Sequence, residues 1–116
     1  MIRRVDRDEL RALLDTGTVA LVEALPREAF DAEHIPGAVN VPNALSADAA
    51  TAIAPDRDRT VVVYCSGPAC TRSKVTAAEF QRLGYTDVRV YPGGKAEWWQ
   101  AGLPLAGNRA ETGATP

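Results

Sequence analysis

Long apolar runs, surplus charge of either sign and a cysteine framework are all missing from this chain of 116 residues. No stretch approaches the ~20 consecutive apolar residues of a membrane span, so no membrane-crossing segment is expected. Lys and Arg number 13 and Asp and Glu 15, a net charge of −2. That balance offers nothing to nucleic acid or to an anionic membrane surface. Met1-Ile2-Arg3-Arg4 is basic, but Val5-Asp6-Arg7-Asp8-Glu9 follows where a signal peptide needs an apolar core. The chain has only 2 cysteines, Cys65 and Cys70, and the short loop between them makes a poor structural disulfide. It therefore reads as cytoplasmic, with its thiols kept for reactivity. With a single histidine, His34, the ligands are too few for zinc. No cofactor is expected. Internal repeats are absent, and no segment before the carboxyl-terminal tail is of low complexity.

What is present is ordinary for a globular domain: 46% apolar and 24% charged residues. The length suits one domain large enough to bury a core without staples. Asp6-Arg7-Asp8-Glu9 has the cap-x-x-Glu form that opens a helix, with Leu10, Leu13 and Leu14 as its apolar stripe and Gly17 ending it. Val19 to Leu25 is almost continuously apolar, as a strand covered on both faces should be. Pro26 to Phe30 suits a short helical turn with proline at its first position. His34-Ile35-Pro36-Gly37 is a turn, and Ala38 to Val41 a short strand. Ser46 caps a helix through Ile53.

Thr60 to Tyr64 reads as the middle of a parallel sheet. Beyond it, Ser73, Thr76, Ala77, Phe80 and Leu83 recur at helical spacing and define a buried face, with Lys74, Gln81 and Arg82 opposite. Gly84 caps that helix. Val88 to Tyr91 is a further strand, Pro92-Gly93-Gly94 a turn, and Lys95 to Gly102 a last helix. A mobile tail is expected over 106–116, leaving a domain of 1–105. Strands alternating with helices imply a three-layer α/β domain around a mainly parallel sheet.

The chemistry concentrates in Val61-Val62-Val63-Tyr64-Cys65-Ser66-Gly67-Pro68-Ala69-Cys70-Thr71-Arg72-Ser73. A β-branched run stops at a cysteine, a Gly-Pro loop follows, and helical periodicity begins. Unpaired backbone N–H groups and the positive end of a helix dipole converge on such a thiol, so a thiolate or persulfide on Cys65 is favoured. The bland alternative, a buried structural thiol, fits poorly with a strand end before such a loop.

Three segments in order resemble a single-domain rhodanese from Val5 to about Leu105. They are Phe30-Asp31-Ala32-Glu33-His34-Ile35-Pro36-Gly37-Ala38-Val39-Asn40-Val41, the strand–Cys65–loop–helix unit, and Val88-Arg89-Val90-Tyr91-Pro92-Gly93-Gly94-Lys95-Ala96-Glu97-Trp98. The resemblance implies a rhodanese-like fold with a five-stranded sheet and a sulfurtransferase activity. In such an enzyme a loop cysteine accepts sulfane sulfur as a persulfide and passes it to a nucleophile.

The chain departs from the family pattern in three places. Glu23-Ala24-Leu25 stands where the family shows Asp-x-Arg, so an ion pair near the site is missing or rebuilt. Lys95 replaces an aromatic residue. The loop carries two extra residues if Arg72 is its terminal arginine, as the helix face containing Ser73, Thr76, Ala77 and Phe80 argues. Phosphatases on the same fold also have longer loops, which keeps a phosphoryl or arsenyl substrate open. Those loops are acidic and opened by a histidine, whereas Tyr64 precedes Cys65 here.

On this resemblance Cys65 is the nucleophile. Ser66, Gly67, Pro68, Ala69, Cys70, Thr71 and Arg72 form the binding loop, with backbone N–H groups holding the persulfide and Gly67 leaving room for close approach. Arg72 supplies positive charge for an anionic donor. The expected donor is thiosulfate or a persulfide, and the acceptor cyanide, a thiol or a protein cysteine. Rival readings are a persulfide carrier with little thiosulfate turnover, or dithiol redox chemistry using Cys65 and Cys70. Cys70 is either a resolving thiol or a spectator. His34 is expected to fix its turn by hydrogen bonding rather than to catalyse. Glu23 either orients loop amides or sits in a structural pair. Trp98 should pack on the core and Trp99 at the rim.

Overall fold

The computed structural model describes residues 2–108. A five-stranded sheet runs in the order β1-β5-β4-β2-β3, and every neighbouring pair is parallel. The strands are β1 (Arg3–Arg4), β2 (Ala20–Glu23), β3 (Val39–Asn40), β4 (Val61–Tyr64) and β5 (Val88–Tyr91). The helices are α1 (Arg7–Asp15), α2 (Arg27–Ala32), α3 (Ala47–Ile53), α4 (Arg72–Arg82) and α5 (Gly94–Gln100). Among the described residues no helix is long and apolar enough to cross a membrane.

Side chains of β4 alternate between two cores because successive Cβ atoms leave opposite faces of a sheet. Val61 and Val63 pack with Ala50, Ala77 and Phe80 from α3 and α4. Val62 and Tyr64 pack with Leu10 of α1 and Trp98 of α5 on the other face. All four are fully buried, and each such valine is worth roughly 1.5–3 kcal/mol of burial. This double cover is why β2 and β4 lack polar alternation.

The expected helix signals operate as local chemistry says they should. Asp6 and Glu9 form a reciprocal capping box at α1. The Ser46 hydroxyl accepts from the Ala49 N–H at α3. The buried face of α4 is Ser73, Thr76, Ala77 and Phe80.

One strand went unread in the sequence. Arg3 and Arg4 pair with Arg89 and Val90, and the Val5 N–H donates to Val90 O at 2.9 Å. Two exposed arginines carry no apolar alternation; β5 supplies the partner that makes them a strand, and their charge blunts the sheet edge. At the other end, Ala106 exchanges two backbone hydrogen bonds with His34 (2.8 and 2.9 Å). The rest of the anticipated tail, 109–116, lies outside the described residues.

Candidate active site

Cys65 follows β4 directly and continues its alternation toward α4. There the Ser73 hydroxyl, on the first turn of α4, lies 3.5 Å from Cys65 Sγ. Cys65 is only 2% exposed. Its sulfur is bonded to that of Cys70, with the Cα atoms 6.4 Å apart. The bridge is made possible by a turn: the Cys70 N–H donates to Gly67 O at 3.1 Å, with Pro68 second of the four residues. Proline is favoured there because its fixed φ matches the turn. The two sulfurs can therefore meet, the condition on which a resolving role for Cys70 depends. Closing so short a loop stabilises little, roughly 2 kcal/mol by chain entropy against ~4.7 for a hundred-residue loop. The bond is better understood as chemistry than as a staple.

The carbonyls that open the loop face α5. Cys65 O accepts from the Lys95 N–H at 3.0 Å, and Ser66 O from the Ala96 N–H at 2.9 Å. In a planar trans peptide the N–H points opposite to the C=O. The N–H groups of Ser66 and Gly67 therefore point away from α5. At the far end of the loop, Thr71 gives α4 no side-chain cap, but its backbone carbonyl accepts from the Lys74 N–H at 3.1 Å.

The loop backbone packs tightly against Gly94. Gly94 has φ +62°, and a Cβ there would lie 2.5 Å from Cys65 O and 2.7 Å from Gly67 N. A Cβ on Gly67 would make only ordinary contacts, with Ala96 Cβ at 3.5 Å and Gly93 O at 3.8 Å. The Gly93-Gly94 pair was the available sequence signal, read merely as a turn.

Arg72 leaves the loop edgewise. Its Nε donates to Ala24 O at 3.0 Å and its Nη2 to Pro42 O at 2.7 Å. The guanidinium thus ties the start of α4 to the exits of β2 and β3. A cleft of about 340 Å³ opens beside it, lined by Val41, Asn43, Thr71, Val75 and Glu79 among others.

Glu23 is completely buried and paired. Oε1 accepts from the Tyr64 hydroxyl at 2.7 Å and Oε2 from Lys95 Nζ at 3.2 Å. Lys95 Nζ also donates to Ala29 O and Glu33 O. The Tyr64 oxygen in turn accepts from the Ile35 N–H at 3.0 Å. The ion pair near the site has been rebuilt, from two of the three places at which the chain departs from the rhodanese pattern. Burial pushes the Glu23 carboxyl above the usual glutamate range, against the hydrogen bond from Tyr64 and the charge of Lys95. Burial also drives the Tyr64 phenol up, with the Glu23 charge acting in the same direction.

His34 lies outside the loop. Its Nδ1 sits 2.7 Å from Phe30 O, and its ring stacks on Phe30 at 4.0 Å, so it fastens its turn. Trp98 is buried against Tyr91 and its Nε1 donates to Pro104 O. Among the described residues no group of three or more His, Cys, Asp or Glu side chains is placed to hold a metal ion.

Known proteins share both this scaffold and its sequence signals. The family model for the rhodanese-like domain matches residues 6–101. An HTH-type transcriptional regulator of Mycobacterium tuberculosis is 38% identical over 101 residues, covering 87% of this chain. The match spans 43% of that regulator's length. A Bacillus halodurans protein superposes with a TM-score of 0.81 at 28% identity, over 90% of this chain and 77% of its own. A human single-domain sulfurtransferase superposes at 0.71 and 28% identity, over 86% of this chain and 97% of its own. The thiosulfate sulfurtransferase of Pseudomonas aeruginosa matches at 0.76 and 27% identity, over 91% of this chain and 20% of that one. With its parallel sheet, its cysteine at the end of β4 and a family match over nearly all its length, the chain belongs to the rhodanese-like domain family.

Proposed function

We propose that this domain transfers sulfane sulfur through Cys65. The observation that carries the reading is the placement of Cys65 at the carboxyl end of β4, with the Cys65 and Ser66 carbonyls drawn outward by α5. That arrangement leaves the Ser66 and Gly67 N–H groups on the side away from α5, available to an anion. The names of the human and Pseudomonas relatives support the same chemistry. Reduction of the Cys65–Cys70 bond exposes the nucleophile. The Cys65 thiolate attacks the outer sulfur of a donor such as thiosulfate, forming the Cys65 persulfide anion and releasing sulfite. The Ser73 hydroxyl, 3.5 Å from the Cys65 sulfur, can donate to the thiolate, and the Ser66 and Gly67 N–H groups hold the new anion. Arg72 contributes positive charge at the loop's end. Cyanide, a thiol or a protein cysteine then takes the outer sulfur and restores the thiolate.

A second reading, a persulfide carrier with little thiosulfate turnover, draws on the mycobacterial relative, in which a similar domain is part of a transcriptional regulator. The test is common to both. Reduced protein is treated with thiosulfate, its intact mass is measured, and thiocyanate formation with cyanide is followed. Uptake of one sulfur that vanishes in Cys65→Ser supports sulfur transfer; brisk thiocyanate turnover favours the enzyme, and slow turnover the carrier. A wild-type protein that neither takes up sulfur nor releases sulfite refutes both.

A further inference from the structure

Resting on that sulfur-transfer reading, we propose that the loop also releases its sulfur as sulfide, with Cys70 resolving the Cys65 persulfide and an external dithiol serving as reductant. The bridge in the structure joins Cys70 Sγ to Cys65 Sγ. That atom becomes the inner sulfur of a persulfide, so the geometry seen is that of the product of attack on the inner sulfur. The Gly67–Cys70 turn holds the two residues at 6.4 Å between Cα atoms, within the span a disulfide needs. With Arg72 as the terminal arginine, this turn and Cys70 lie inside a loop two residues longer than the family pattern.

The steps balance. The Cys65 thiolate takes the outer sulfur of thiosulfate and sulfite leaves. The Cys70 thiol, losing its proton, attacks the inner sulfur of the Cys65 persulfide anion. The bond between the two persulfide sulfurs breaks, the Cys65–Cys70 bond forms, and hydrosulfide departs with that proton. The protein is then oxidised by two electrons and needs a reductant. Cys65 is buried while Cys70 is partly exposed, so an incoming thiolate meets the Cys70 sulfur. The group it expels is the Cys65 thiolate, which the Ser73 hydroxyl 3.5 Å away can stabilise, and a stabilised thiolate leaves faster. A monothiol would stop at a mixed disulfide on Cys70, which Cys65 would reattack and close again. A dithiol completes the exchange with its own second sulfur, an intramolecular step favoured by high effective concentration. The net reaction turns thiosulfate and a dithiol into sulfite, sulfide and the oxidised dithiol.

The test is a single turnover without added thiol. Reduced, desalted protein is mixed with thiosulfate in the absence of oxygen, and sulfite, sulfide and intact mass are followed together. The wild-type protein should release sulfide in step with sulfite and end lighter by the two thiol hydrogens. Cys70→Ser and Cys70→Ala should each keep one extra sulfur and lose nearly all sulfide release. With dithiothreitol present, the wild-type protein should produce sulfide over many turnovers. A wild-type protein that retains the sulfur, or a Cys70→Ser protein that releases sulfide equally fast, overturns the proposal while leaving sulfur transfer intact. An extra sulfur mapped to Cys70 overturns it as well, by showing attack on the outer sulfur instead. Failure of every protein to take up sulfur removes the underlying reading and this one with it.

Discussion

Lys95 Nζ lies 3.2 Å from Glu23 Oε2, across 72 positions of sequence. The same Lys95 uses its backbone N–H to hold Cys65 O. One residue therefore fastens the first peptide of the loop after β4 while its side chain is anchored to β2 and to the carbonyls of Ala29 and Glu33. The buried pair is thereby coupled to the reactive segment through a single Cα.

Removing one half of this pair should be costly. Lys95→Met leaves the Glu23 carboxylate, fully buried, without its cation, a loss of roughly 3–5 kcal/mol for a broken buried pair. Glu23→Gln in the same chain should recover more than half of that, since a glutamine oxygen still accepts from Tyr64. Urea unfolding of the two single variants and the double variant measures the coupling. Additive losses would mean that the two side chains do not depend on each other.

Tyr64→Phe should destabilise by about 1–3 kcal/mol, because the buried Ile35 N–H loses its acceptor and Glu23 loses a donor. The same unfolding measurement reads it. Sulfur uptake by the folded fraction should persist, since Tyr64 points to the α1 and α5 face rather than to α4.

The two loop glycines should differ sharply. Gly94→Ala places a methyl against the Cys65 carbonyl at a positive φ, and the loop must move. A loss above about 2 kcal/mol and a drop in sulfur uptake are expected. Gly67→Ala meets only an ordinary contact and should stay within about 1 kcal/mol of wild type. Equal behaviour of the two variants would remove Gly94 from the account of the site.

Acid and neutral pH should act through opposite groups. Hydrogen bonds from Arg89 hold the Asp87 carboxyl below the usual aspartate range. Its stabilising contribution is complete above the unfolded aspartate pKa and is lost as pH falls through the folded value. Glu23 runs the other way. Burial raises its pKa, so the folded state binds more protons, and stability falls as pH rises from the ordinary glutamate range to the folded value. Unfolding followed from about pH 3 to about pH 8 should therefore lose the second slope in Glu23→Gln and the first in Arg89→Gln. Parallel curves for Glu23→Gln and wild type would contradict the assignment.

Much of the fold was legible because its signals are local. The capping box at Asp6, the apolar runs of β2 and β4, and the spacing of Ser73, Thr76, Ala77 and Phe80 each lie within a few residues of one another. Cys65 was legible for the same reason, since a strand, a Gly-Pro loop and a helix start are contiguous. Two things were harder to read. The strand at Arg3–Arg4 has no pattern of its own and exists through β5. Gly94 looked like a turn residue because its tight contact is with a loop far away in sequence.

The amino-acid order alone determined the layered α/β architecture and the family, because periodicity, capping and turn chemistry are short-range. Tertiary structure decided what those residues touch. It joined Cys70 to Cys65, turned Arg72 onto the Ala24 and Pro42 carbonyls, and matched Glu23 with Lys95. Such pairings depend on where a parallel sheet brings the ends of separate strands together, and no local pattern carries that information.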